Sequence, residues 1–226
     1  MSSSEDSLPG KSAEKSEHSL TEKSAEKPED SLPEKSAEIK DSTKKSSSHF
    51  TRDIIETVAL TVLIFLAIRF TVQNFLVDGP SMRPGLHTGE YVLVNKLAYT
   101  FHAPQRGDVI VFELPEDTSE NLIKRVIGLP GDKLVLTENT VTVDGVTLKE
   151  PYISAPNGTT PENVTVPSND YFVMGDNRPV SDDSRDWGFV PKDDIIGKAV
   201  MVYWPLGNWQ SINTFQPVYN QVKPNS

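Results

Sequence analysis

Between Glu56 and Arg69 the chain runs through Thr-Val-Ala-Leu-Thr-Val-Leu-Ile-Phe-Leu-Ala-Ile, Thr57 to Ile68, without a single charge. The run is apolar on every side rather than along one stripe, which suits a helix surrounded by lipid better than one flanking a soluble core. A membrane crossing takes about 20 helical residues. Ile54, Ile55 and Phe70 to Val72 extend the run to that length when Glu56 and Arg69 lie at the two interfaces. A cleaved export signal would sit nearer the start and be followed by small residues, whereas Arg69-Phe70-Thr71-Val72 follows here. The expectation is a retained transmembrane anchor over residues 51–72, with a buried core helix as the competing reading. Lys44, Lys45 and Arg52 precede the span and Arg69 ends it, so the nearer basic cluster favours a cytoplasmic N-terminus. Everything after about residue 72 then lies on the outer face of the cytoplasmic membrane.

Ahead of the anchor, residues 1–50 are built from Ser, Glu, Lys, Asp and Pro, with almost no branched or aromatic apolar side chains. Such a segment cannot bury enough surface to offset the entropy of ordering, so a disordered tail is expected. A twelve-residue period runs through it: Lys-Ser-Ala-Glu starts at Lys11, Lys23 and Lys35, each time after a Ser-Leu starting at Ser7, Ser19 and Ser31. Solenoid repeats are longer and carry an apolar face, so this array reads as a solvated tether and only secondarily as a docking segment. The formal net charge of −10 and the lack of a basic stripe with interleaved aromatics argue against a nucleic-acid partner. The count of 0 cysteines removes disulfides, thiolate metal sites and a cysteine nucleophile.

After the anchor, residues 73–226 change to short apolar runs rich in β-branched residues and separated by turn signals, which reads as a mainly β domain. Expected strands are Tyr91 to Asn95, Asp108 to Glu113, Ile123 to Ile127, Lys133 to Leu136, Thr140 to Val143, Tyr171 to Met174 and Ile196 to Tyr203. Thr140 to Leu148 is the clearest hairpin, because Asp144-Gly145 supplies the positive φ angles of a tight primed turn. Long helices are not expected here. The Pro/Gly/Asn/Thr-rich stretch 155–169 reads as an exposed excursion.

Ser81 lies in Gly79-Pro-Ser-Met-Arg-Pro84, a hydroxyl on backbone stiffened by two prolines. Alone it is ordinary turn chemistry. A serine is a poor nucleophile until a base takes its proton, and the outer domain offers only His87 and His102, with Ser81 outside any G-x-S-x-G elbow. A lysine serves instead when it is kept neutral. Lys124 sits in Asn121-Leu-Ile-Lys-Arg-Val-Ile-Gly-Leu-Pro-Gly-Asp132, where apolar neighbours suggest a strand whose inward face strips water from the ammonium; desolvation lowers a lysine pKa. A solvated strand-edge lysine is the alternative. The loop Gly175 to Gly188 is dense in hydrogen-bonding side chains, and an EF-type calcium loop fails because counting from Asp182 puts Trp187 at the glycine position. An ion-paired loop fits better, Asp183 with Arg185 bracing a site and Ser181 offered to the lysine amine. A purely structural turn remains open.

Together and in this order these elements resemble type I signal peptidases. The serine motif stands as Ser81-Met82-x-Pro84 and the following strand as Tyr91-Val-Leu-Val-Asn-Lys96. The lysine motif is Lys124-Arg-Val-Ile-Gly-Leu-Pro-Gly-Asp132, and the last is Gly175-Asp-Asn-Arg then Ser181-x-Asp-Ser-Arg-x-Trp-Gly188. The resemblance covers roughly residues 50 to 205. It implies a β-rich catalytic fold shared with self-cleaving SOS repressors, and removal of signal peptides from secretory preproteins after small residues at the −1 and −3 sites. Carried over by position, Ser81 matches the nucleophile, Lys124 the general base, Ser181 the hydroxyl that orients the lysine, and Asp183 with Arg185 the supporting salt bridge. Arg125 and Met82 match motif positions to which structural roles are assigned. No metal or cofactor is implied, and the implied partners are preproteins and membrane lipid.

Two departures from the pattern stand out. Gly85 replaces the threonine that usually continues the serine motif. Gly79 occupies a position where some members carry a serine that helps hold the oxyanion, so the oxyanion hole rests on backbone N–H groups, chiefly that of Ser81, since Pro80 has none. A regulatory serine/lysine protease of the self-cleaving type and an inactive membrane-tethered peptide-binding module are the alternative functions.

Overall fold

The structure, a computed structural model, describes residues 46–115, 117–158 and 160–223. The expected disordered tail falls on residues 1–45, outside the described residues, apart from its last few positions. Those are helical: helix α1 covers Ser46–Thr71, beginning before the expected anchor and ending one residue short of Val72. Its segment His49–Thr71 is long and apolar enough to cross a membrane, and no part of it is buried against the protein.

Among the described residues twelve strands follow. They are β1 Val72–Leu76, β2 Tyr91–Asn95, β3 Val109–Leu114, β4 Asp117–Gly128, β5 Lys133–Leu136 and β6 Val141–Val143. The others are β7 Val146–Thr147, β8 Glu162–Thr165, β9 Asp170–Met174, β10 Val190–Pro191, β11 Ile195–Trp204 and β12 Gln210–Ser211. Helices α2 Ser184–Trp187 and α3 Gln216–Tyr219 are single turns, in keeping with the mainly β expectation. Every pairing is antiparallel. The large sheet runs β1-β2-β11-β3-β4-β9-β10 with β12 added to β11, and the small sheet runs β7-β6-β5-β8.

The centre of the large sheet is apolar on both sides, which is why Val109-Ile-Val-Phe reads as a continuous run instead of alternating. Val109 and Val111 join Val92, Val94, Ala199 and Val202 in one core, while Ile110 and Phe112 join Val126, Tyr171 and Val173 in another. A third core forms under the small sheet, from Leu134, Leu136, Val141, Val143 and Val166 with Phe172 and Met174 of β9. The hairpin expected at Asp144-Gly145 is present, with φ of 49° and 81° at those residues and β6 paired to β7.

Two expectations about loops fail. Val72 does not extend the helix but opens β1, because Val72-Gln-Asn-Phe-Leu pairs in register with Tyr91 to Asn95. The stretch 155–169 is not wholly an exposed excursion: β8 within it pairs with β5 over its full length, Val166 is buried in the third core, and Asn157 is 1% exposed. Pairing with an existing strand and burial of two valines outweigh the local turn chemistry there.

Candidate active site

Strand β1 delivers the chain to the serine. Past its end, Val77 N–H bonds the Glu90 carbonyl at 2.8 Å and Gly89 N–H bonds the Val77 carbonyl at 2.9 Å, closing a loop over residues 77–90. Val77, Met82 and Leu86 are buried in the core of β2 and β11, so Met82 pins the serine loop from below and fixes its neighbour Ser81. Gly79 takes φ +84°, a left-handed conformation in which a serine would be strained. That explains glycine where the resemblance allows a hydroxyl. Thr88 Oγ1 donates to the Gly79 carbonyl at 2.9 Å and holds that turn. Among the described residues Ser81 N–H donates to no protein acceptor, which leaves it available to an incoming oxyanion.

Lys124 lies inside β4, hydrogen-bonded in register between β3, where Ile110 is its partner, and the start of the β9 pairing at Arg125. Strand alternation sends Lys124 and Arg125 to opposite faces. Lys124 is 3% exposed and, among the described residues, its ammonium has neither an ion pair nor a hydrogen bond. Burial drives its pKa below the ordinary lysine value, against the upward pull of Asp183, Asp182 and Glu120, while Arg185 adds to the lowering. Ser81 and Lys124 line the same groove, a cavity of about 370 Å³ walled also by Phe75, Val77, Ile123 and Val180. Neither His87 nor His102 lines it. His87 faces Glu90 at 3.6 Å, and His102 lies against the Ala103 carbonyl.

The loop after β9 closes the site. Asp183 is fully buried and takes both nitrogens of Arg185 at 2.8 Å, Nε on Oδ1 and Nη2 on Oδ2. Its Oδ2 also accepts Gly175 N–H at 2.9 Å, and it caps α2 through a reciprocal box with Asp186. The loop is tied to the serine: Asn177 N–H bonds the Ser81 carbonyl at 2.9 Å, and Asn177 Nδ2 bonds the Pro80 carbonyl at 3.1 Å. Gly175 is squeezed between the two, since a Cβ there would meet Ser181 Oγ at 2.2 Å and the Ser81 carbonyl at 2.5 Å. Ser181 is thus placed beside the serine loop. Its hydroxyl is buried and, among the described residues, hydrogen-bonded to nothing, so the expected bond to the Lys124 amine is not formed in this structure.

Arg125, on the other face of β4, fits the structural role expected of it. Its Nε and Nη2 donate to Asp176, at 2.8 and 2.7 Å, and Nη1 donates to the carbonyls of Gly107 and Asn213. The guanidinium also lies over Tyr152 and Phe215. Three residues went unnoticed in the sequence: Asn177, Asn157 and Glu150. Asn177 lay within a motif already quoted, but nothing local marks the other two. Among the described residues no group of three His, Asp or Glu converges as metal ligands.

Comparison with known proteins places these features in a family. A family model described as "Signal peptidase, peptidase S26" matches residues 51–204. The "Probable signal peptidase I-1" of Synechocystis sp. is 37% identical over 185 residues, covering 78% of this chain and 94% of that protein. "Signal peptidase IB" of Staphylococcus aureus is 33% identical over 183 residues, covering 73% of this chain and 93% of its own length. A crystal structure of a signal peptidase I from Enterococcus faecalis V583 is 38% identical, with a TM-score of 0.38 over 42% of this chain and 95% of that one.

Proposed function

The chain belongs to the signal peptidase family, peptidase S26, and from that premise we propose that Ser81 is its nucleophile and Lys124 its general base. It is a serine peptidase that removes signal peptides. The observation that carries the dyad is a buried lysine whose ammonium forms no direct ion pair among the described residues, opening onto the same groove as a serine.

In the proposed cycle the neutral Lys124 amine takes the proton of Ser81 Oγ as that oxygen attacks the scissile carbonyl carbon. The resulting oxyanion is held by Ser81 N–H. Lys124 ammonium then gives its proton to the departing amine nitrogen, the C–N bond breaks, and an ester joins the signal peptide to Ser81. Water, deprotonated by the same amine, attacks that ester, and the proton returns to Ser81 Oγ as the acid leaves. The buried, unpartnered Ser181 hydroxyl is assigned the task of orienting the amine, the two drawing together once substrate excludes water. Asp183 and Arg185 support the loop that carries it.

The substrate lies extended. Strand β4 pairs with β9 only from Arg125 onward, so among the described residues Asn121 to Lys124 have β3 on one side and no strand on the other. A peptide adding there runs between Glu120 to Lys124 and Phe75 to Ser81, both of which line the groove, and presents alternate side chains to its shallow apolar wall. Small residues at −1 and −3 fit such walls. Helix α1 anchors the enzyme in the cytoplasmic membrane, with the N-terminus on the cytoplasmic side and the β domain outside; preproteins and membrane lipid are its partners.

The test is processing of a preprotein by the purified full chain. Activity is expected to vanish in Ser81→Ala and Lys124→Ala and to persist in His87→Ala. Wild-type turnover by Lys124→Ala would falsify the dyad.

A further inference from the structure

The connection between β7 and β8 belongs to no catalytic motif, yet two of its residues hold the arginines that grip the loop carrying Ser181. Glu150 pairs with the buried Arg178 through both carboxylate oxygens. Asn157 accepts from the same guanidinium through Oδ1, donates through Nδ2 to the Thr137 carbonyl at 3.0 Å, and offers its own carbonyl to Arg185 Nη1 at 2.6 Å. The guanidiniums in turn grip the catalytic loop. Arg178 Nε bonds the Gly175 carbonyl at 3.1 Å, and Arg185 Nη2 bonds those of Arg178 at 2.8 Å and Ser181 at 3.3 Å.

The loop from Gly175 to Ser181 is therefore held at three carbonyls by two arginines, and both arginines are held by the β7–β8 connection. That connection is itself rooted in the small sheet, through Thr137 at the end of β5 and through Tyr152, which bonds Glu150 and packs in the third core. A buried ion pair such as Arg178 with Glu150 is weak support for stability, since apolar residues of the same volume do as well or better. What it supplies here is a fixed geometry.

We infer that Glu150 and Asn157 are positioning residues of the peptidase, a clamp rooted in the small sheet that holds Ser181 against the serine loop and keeps the Lys124 side of the groove dry. Neither touches substrate. The inference rests on the Ser81/Lys124 reading and extends it. When the clamp opens, the loop carrying Ser181, Asp182 and Asp183 shifts and water reaches the amine. Four charges face Lys124: Asp182 and Asp183 and Arg185 on that loop, and Glu120 on its own strand. Hydration then favours the ammonium, and less base is available at a given pH.

The experiment is the pH dependence of kcat and KM for preprotein cleavage by the full chain. The variants are Asn157→Ala, Glu150→Ala and Glu150→Gln, with Lys124→Ala and Val143→Ala as controls. Asn157→Ala and Glu150→Ala are expected to lose about tenfold in kcat near neutral pH at unchanged KM, to move the acid limb of the profile upward, and to recover most of the loss at alkaline pH. Glu150→Gln keeps one acceptor for Arg178 and shifts less; being of native size, it carries the test if the alanine variants do not fold. Val143→Ala opens the small-sheet core and should lower the melting midpoint without moving the limb. Clamp variants that behave like Val143→Ala, with an unmoved limb, overturn the inference while an inactive Lys124→Ala leaves the dyad standing. An active Lys124→Ala overturns both.

Discussion

At the scale of single residues, the site is arranged around an amine whose charge is unwelcome. Burial holds the Lys124 pKa below its unfolded value. The unfolded chain therefore binds a proton that the folded chain releases, and stability rises with pH between the folded and the unfolded lysine values. Lys124→Met, similar in length and uncharged, should abolish cleavage and raise the melting midpoint near neutral pH, with the advantage fading as pH approaches the ordinary lysine value. A thermal denaturation series across pH checks it, and a lower midpoint at neutral pH would contradict it. Asn177 acts at the same scale, tying the catalytic loop to Pro80. Asn177→Ala should lose about 1 kcal/mol of stability and about tenfold in kcat, read by denaturant titration and steady-state cleavage. In the sequence Ser81 and Lys124 stand out only through the order of the motifs that resemble one family; taken singly, each reads as turn or strand-edge chemistry. Asn177, Glu150 and Asn157 were not, because each works by contact with residues 21 to 97 positions away.

At the scale of elements, strand patterns carried most of the fold. The expected strand at Tyr91 to Asn95 and that at Lys133 to Leu136 match β2 and β5 residue for residue, since β-branched and apolar residues alternate there over a half-buried surface. The strands β1, β8, β10 and β12 were missed: β10 and β12 are only two residues long, and Val-Gln-Asn-Phe-Leu and Glu-Asn-Val-Thr are too polar to show an apolar alternation before their partners are known. The turn at Gly175 joins β9 to the catalytic loop with no room for a side chain. Gly175→Ala must push Ser181 away from the serine loop or distort the backbone of Ser81. It should reduce kcat at least as strongly as the loss of one oxyanion donor, about 10²-fold, with a smaller effect on KM. Wild-type turnover in Gly175→Ala would show that the loop gives way freely.

For the whole molecule, composition marks an apolar helix off from the β domain, and that helix starts five residues before the expected anchor. Among the described residues, the groups that line the groove and form the clamp all come after residues 1–45. A chain lacking them should process preproteins in cells within about twofold of the full chain, an effect under 0.5 kcal/mol by transition-state arithmetic, and a large deficit would reveal a further task for that segment. The connection from anchor to chemistry is short. Thr71 ends the apolar helix, β1 takes the next five positions, and Ser81 follows five later. Ten residues span at most about 36 Å when fully stretched, and here half of them are stitched into a sheet. With the helix in lipid and Ser81 at the chemistry, as proposed, the enzyme is a ruler: bonds that present themselves farther from the headgroups than that reach are out of range, whatever their flanking side chains.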